Sequence, residues 1–299
     1  AGYANIAEGI ASSEFYNTVT IGNDRPVDRD DSDWRIDLWR RGSQWNLVSD
    51  GDPTLLAHSA NPRFTYVTGD ATPLYNSASE GATAVQHASR SLLWLKPDVV
   101  VVYDRAESSG PGYAKRWWLQ LAAPATVRGQ QAVSITPGGQ QLFVTALLPA
   151  GAAPQAVNQT EQFVEDTVAH HEPMQVRLMT EAPGAPTAVR MLHVVEAADG
   201  GAPASAVALL RSEDGRWEGA VIGETAVLFA QELAQPAPAV LRYSAPAAVT
   251  THLITGLPPG SSYDVHLSDE GGSVTVTITA GAQMQADQGG VLVVQPGAG

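Results

Sequence analysis

Seven histidines are scattered along the chain, at His58, His87, His170, His171, His193, His252 and His266. None falls in an HExxH arrangement or a His–x–His strand pair, the spacings that set two imidazoles on one face for a metal. His170-His171-Glu172 is the one cluster. Neighbouring strand residues point to opposite faces, so one strand cannot bring both rings to one ion, and a polar loop before Pro173 is the simpler reading. The carboxylates of Asp28-Arg29-Asp30-Asp31-Ser32-Asp33 lack the spaced ligands and turn glycine of a calcium loop and read as a solvated loop. No nucleophile elbow, phosphate loop or dinucleotide fingerprint occurs. The absence of cysteine removes disulfides, thiolate nucleophiles and iron–sulfur clusters. The residues therefore assign no catalytic group, no metal site and no cofactor.

The aromatics carry a different kind of chemistry. Trp34, Trp39, Trp45, Trp94, Trp117, Trp118 and Trp217 offer flat apolar faces on which sugar rings stack, or else they fill a core. Adjacent Trp117 and Trp118 must face opposite sides of a strand, so one is expected in the core and one outward. Trp39 and Trp117 are candidate substrate-binding residues.

Strands must position these groups. No segment shows a sustained helical apolar stripe, whereas short apolar runs are punctuated by Gly, Pro, Asn and Asp about every 8–12 residues. Residues 15–21 form a strand entering a Gly22-Asn23 turn, and 34–39 pairs with 44–49. Residues 89–95 and 99–103 form a hairpin across Lys96-Pro97-Asp98, and the β-branched Val99 to Val102 run marks a central, buried strand. Further strands are expected at 115–121, 141–148, 175–179, 190–195, 206–211 and 218–229, the last broken into a hairpin at Gly223-Glu224. After a Pro- and Ala-rich stretch at 231–239 come strands at 240–243, 250–255, 262–267, 273–280 and 290–294. The expected fold is all-β: a large antiparallel β-sandwich of two stacked sheets over 1–230, then a small β-rich C-terminal module over 240–297. That module is either a small sandwich or the closing strands of the large one.

Charge narrows the partners. With 17 Lys and Arg against 31 Asp and Glu, the 299-residue chain has a net charge of −14, which disfavours nucleic acid. Hydrophobic residues make up 44%, enough for a core, while no apolar run approaches the ~18 residues of a membrane span. The chain begins at Ala1 without an initiator Met, and is expected to be a processed protein or an excised piece.

Several stretches, in order, resemble the C-terminal β-sandwich region of heparinase II/III-like polysaccharide lyases. These are Phe15-Tyr16-Asn17-Thr18-Val19-Thr20-Ile21 before its Gly turn; His87-Ala88-Ser89-Arg90 running through Trp94 and Lys96-Pro97-Asp98 to Asp104-Arg105; Trp117-Trp118-Leu119 with Leu142-Phe143-Val144; Leu192-His193-Val194-Val195; and Gly219-Ala220-Val221-Ile222-Gly223. The likeness spans roughly 12–230. It implies β-elimination on uronate-containing polysaccharide, with catalytic Tyr, His and Asn mainly in an N-terminal helical toroid that this sequence lacks. A metal-ligand histidine of the family falls where this chain has Tyr16, and a phenol substitutes poorly for imidazole in a zinc site. Tyr16 and Asn17 join the candidate substrate-binding residues through this resemblance.

Three functions remain open. One is the sandwich portion of a secreted, extracellular or periplasmic polysaccharide lyase, inactive alone and completed by the missing N-terminal helical domain. Another is an extracellular self-assembling β-subunit whose partners are other copies of itself, an arm at 1–14 adding to a neighbour's sheet edge. The last is a non-catalytic carbohydrate-binding module with polysaccharide as its partner.

Overall fold

The computed structural model describes residues 13–22, 44, 50–78, 83–158, 176–233 and 236–295. Residues 1–12 of the arm expected at 1–14, the acidic run at 28–33, Trp39 with its strand, residues 45–49 of the strand expected at 44–49 and the His170-His171 pair lie outside the described residues. Among the described residues all regular structure is strand, apart from 3-10 turns at Ser13–Phe15 and Thr72–Tyr75. The protein is all-β, its sheets are almost wholly antiparallel, and none closes into a barrel. No described helix is long and apolar enough to cross a membrane.

The chain divides into two compact units, and the dividing points cut the two long strands Val85–Leu95 and Val99–Ser108 between Arg90 and Ser91 and between Tyr103 and Asp104. The first unit comprises Ala1–Thr54, Gly69–Arg90 and Asp104–Ala202. One of its sheets has the order Val19–Ile21, Lys115–Gln120, Arg177–Glu181, Gln155–Val157. The other aligns Ala188–Ala198, Gln141–Leu148, Gln131–Ile135 and Ala125–Arg128. Ile21, Trp117 and Leu178 from the first meet Ala132, Val144 and Met191 from the second, one face of each sheet supplying the core. The turn after Val19–Ile21 uses Gly22 at φ +71, where a Cβ would sit 2.6 Å from the Tyr113 ring, so only glycine fits.

The second unit comprises Leu55–Thr68, Ser91–Tyr103 and Pro203–Gly299. Its five-stranded sheet runs Val207–Arg211, Trp217–Ile222, Thr225–Ala230, Thr251–Ile254, Leu292–Val294, with one parallel pair between the third and fourth. A four-stranded sheet of Val240–Pro246, Ser273–Ala280, Ser262–Asp269 and Met284–Gln285 covers it. Trp217, Leu228 and Ile254 pack against Tyr243, Tyr263 and Ile278, so strands on both sides of the 231–239 stretch share one core. The Trp217–Ile222 and Thr225–Ala230 hairpin turns at Gly223, φ +53, as its Gly-Glu pair foretells. On the other face of the five-stranded sheet Tyr103 stacks on Phe229 with centroids 5.2 Å apart and donates to Glu218 at 2.7 Å. The strands Thr54–Ala60 and Phe64–Asp70 were not foreseen: Thr54–Ala60 ends its sheet, is exposed at nearly every position and so shows no alternation to read.

Candidate functional site

In the first unit a pocket of about 250 Å³ forms over the start of Val19–Ile21, where Asn17, Tyr75, Arg90 and Asp104 converge. Each side chain arrives by a local device. The long hairpin brings Arg90 opposite Asp104, and the guanidinium grips the carboxylate with two bonds of 2.6 and 3.0 Å. The third arm of Arg90, Nη1, donates to the Asn17 carbonyl. Asp70 caps the Thr72–Tyr75 turn by accepting from the Thr72 amide at 2.8 Å and hydroxyl at 2.5 Å. That turn delivers Tyr75, whose hydroxyl donates to the Val19 carbonyl at 2.6 Å and accepts from Gln44 Nε2 at 3.1 Å. Gln44 Nε2 also reaches Thr18 Oγ1 at 3.0 Å. The Asn17 side chain accepts from the Gln120 amide at 2.7 Å.

Burial raises the Tyr75 phenol above its usual range, the bonds to Thr18 and Gln44 opposing it. A β-elimination base must give up its proton near neutral pH, and a phenol that is buried, protonated and already donating to a carbonyl does not. Burial works against the Arg90 charge, but Asp104 more than restores it, and the pKa ends above its ordinary value. Nearby, His193 is fully buried, its ring stacked on Trp117 at 3.7 Å and 7°, with Nε2 3.0 Å from Thr180 Oγ1. Burial, aided by the Arg90 charge, pushes its pKa down to about 3, so it stays neutral. This arrangement holds shape and can offer hydrogen bonds to a ligand, and neither Tyr75 nor His193 is poised to move a proton.

The candidates named from sequence fall as follows. Tyr16 is 39% exposed beside Asn17, which lines the pocket. Trp39 lies outside the described residues. Trp117 is 2% exposed and Trp118 5%, so neither faces outward: the strand's two residues do point apart, but both sides are covered. Trp118 donates to Thr20 at 3.0 Å and lies beneath the Arg177 guanidinium at 5.2 Å. Among the described residues no group of three or more His, Asp or Glu side chains could hold a metal ion. Sequence reasoning missed Arg90, Asp104, Tyr75 and Gln44. A signal for two of them existed, because Arg90 and Asp104 are equidistant from Pro97, the centre of the anticipated hairpin.

No family model and no curated protein matches the chain. Among solved structures it is similar to heparinase III, with TM-score 0.50 and 9% identity over 74% of this chain and 30% of that one. It is also similar to the heparan sulfate lyase HepC from Pedobacter heparinus, with TM-score 0.48 and 13% identity over 71% of this chain and 29% of that one. The chain thus spans about 30% of the length of these lyases. At such identities the likeness is one of fold, and it places most of this chain alongside part of heparinase III.

Proposed function

We propose that this chain is the β-sandwich portion of a secreted polysaccharide lyase that cleaves uronate-containing polymer by β-elimination. The observation that carries the reading is the fold likeness to heparinase III, which covers 74% of this chain but 30% of that enzyme. The first-unit pocket agrees with a supporting role: its tyrosine is held protonated and its histidine neighbour is sealed from solvent. On this reading the proton-moving groups come from a helical domain that the whole lyase carries beside this β-sandwich. Acidic polysaccharides are too large to enter a cell intact, so the reading implies a secreted or periplasmic setting.

A second reading, a self-assembling extracellular β-subunit, has one observation in its favour. The sheet-end strand Thr54–Ala60 contains no Asp, Glu, Lys or Arg and exposes Leu55 at 62% and Leu56 at 47%. Uncharged, apolar sheet ends pair with other chains.

One preparation tests both. The 299-residue chain, alone and joined to any preceding coding sequence, is incubated with uronate polymers while ultraviolet absorbance of the unsaturated product and light scattering are followed. The expected result is turnover by the longer protein, none by this chain, and a monomer. Turnover by this chain alone overturns the division of labour; a discrete oligomer with no turnover in either form favours the subunit.

A further inference from the structure

The second unit contains a larger concavity, of about 440 Å³, that none of the preceding assignments uses. Its floor is the face of the five-stranded sheet turned away from the Trp217 core. Leu253 pairs directly with Val293, and Thr225 with Thr251, so two apolar side chains and two hydroxyls lie side by side. Its rim is the turn joining Thr54–Ala60 to Phe64–Asp70, which carries Arg63, together with Lys96 from the Lys96-Pro97-Asp98 turn.

The rim is built firmly. Asn61 Oδ1 accepts from the amides of Arg63 at 2.8 Å and Phe64 at 3.0 Å. Lys96 clamps the same turn twice, its amide donating to the Arg63 carbonyl at 3.0 Å and its Nζ to the Asn61 carbonyl at 2.7 Å. Arg63 Nη1 donates to Gln295 Oε1 at 2.8 Å, and Gln295 in turn donates to Thr251 Oγ1 at 3.2 Å. These bonds fix where the charges sit without exhausting them: an ammonium has three N–H groups and a guanidinium five. No residue lining the concavity is acidic, in a chain of net charge −14. Two fixed cations without a facing carboxylate make a local anion site on an otherwise anionic protein. Beside it the Trp94 ring is 43% exposed, with the Lys96 Nζ 5.3 Å from its centroid.

We propose that this groove is a non-catalytic binding site for a uronate residue of an acidic polysaccharide. Arg63 and Lys96 take the carboxylate, Thr225 and Thr251 meet ring hydroxyls, and Leu253 and Val293 receive the ring's apolar face. The anion follows from the groove's own charges, while the choice of a sugar to carry it rests on the polysaccharide reading above. The groove holds polymer and does not cleave it, since the residues lining it include no histidine, carboxylate or tyrosine.

The test is calorimetric titration of the full chain with an unsulfated tetrasaccharide of alternating glucuronate and N-acetylglucosamine, and with the same tetrasaccharide carboxyl-reduced to neutrality. The expected result is binding that weakens with salt, roughly tenfold weaker for the neutral form and roughly fivefold weaker for Arg63→Gln or Lys96→Gln. Arg63→Gln sits on the exposed rim, so it reads the site even where Lys96→Gln disturbs the clamped turn. No binding, equal binding of the neutral sugar, or unchanged affinity in Arg63→Gln overturns the site. Binding without turnover by any longer product keeps the site and removes the lyase reading; turnover without binding by this chain does the reverse.

Discussion

Lys115 opens a strand of the first unit and Lys96 sits in a hairpin turn of the second, and they are used in opposite ways. Lys115 is 0% exposed, and its three N–H groups go to Ser108 Oγ at 2.7 Å and to the carbonyls of Tyr113 at 3.0 Å and Pro186 at 2.6 Å. Burial pulls its pKa below the usual range, with Glu107 opposing. Lys96 is half-buried and its Nζ gives one hydrogen bond, to Asn61. The arginines repeat the contrast: Arg90 spends three arms on Asp104 and Asn17, Arg63 one arm on Gln295. A cation saturated by its own chain is part of the scaffold. A cation placed firmly but left with spare donors has capacity for something else.

The sharpest way to break this contrast is to remove the partner of a saturated cation. Asp104→Ala leaves the Arg90 guanidinium, whose side chain is 25% exposed, facing a space its carboxylate filled. Breaking one half of such a buried pair costs about 3 kcal/mol or more. Urea denaturation of the variant should show that loss. A change below about 1 kcal/mol would put Arg90 in the same class as an exposed surface pair and dissolve the distinction.

Much of this was readable beforehand, for identifiable reasons. The β-branched Val99 to Val102 run has no plausible home but a covered strand, and Val101 and Tyr103 are fully buried. Gly22 and Gly223 marked turns because no other residue takes positive φ cheaply, and both do so. The hairpin of Ala125–Arg128 and Gln131–Ile135 was not foreseen, because its small and polar residues hid the strand pattern. The pocket was not legible, because it depends on pairing across distant segments: Tyr75 reaches Val19, and Gln120 reaches Asn17. Trp117 illustrates the limit. Alternation gives the direction of a side chain on a strand, but not whether that side is covered, and here His193 covers it.

The two units also each bury a histidine, and acid should find both. His193 in the first unit is pushed down to about 3 by burial and by Arg90, and His252 in the second to about 4 by burial, its Nδ1 3.0 Å from the Tyr243 hydroxyl. A folded-state pKa below the unfolded value of 6.5 means the unfolded chain binds more protons in between. Stability therefore rises with pH from the folded pKa to the unfolded one and is lost on acidification. Between pH 5 and 6 each histidine contributes roughly 1 kcal/mol per pH unit to that slope. Urea unfolding across this range should show the sum, and His193→Gln should roughly halve it. A flat profile would mean that both rings reach water in the folded protein.

The smallest effect is the one that sharpens the comparison most. Arg63 belongs to the exposed rim, and its single side-chain bond, to the Gln295 amide oxygen, joins groups that water can serve equally well. The turn that carries it is fixed by backbone atoms and by Asn61 and Lys96, none of which depends on the guanidinium. Arg63→Gln therefore leaves every buried group satisfied, and its effect on stability should stay within about 0.5 kcal/mol. The same substitution removes the strongest anion donor of the groove. A residue that stability does not require, yet whose backbone is held this closely, is placed for a partner. Denaturation of Arg63→Gln beside Asp104→Ala reads the two kinds of cation on one scale. A loss from Arg63→Gln approaching that of Asp104→Ala would show that the groove's charge, too, is scaffold.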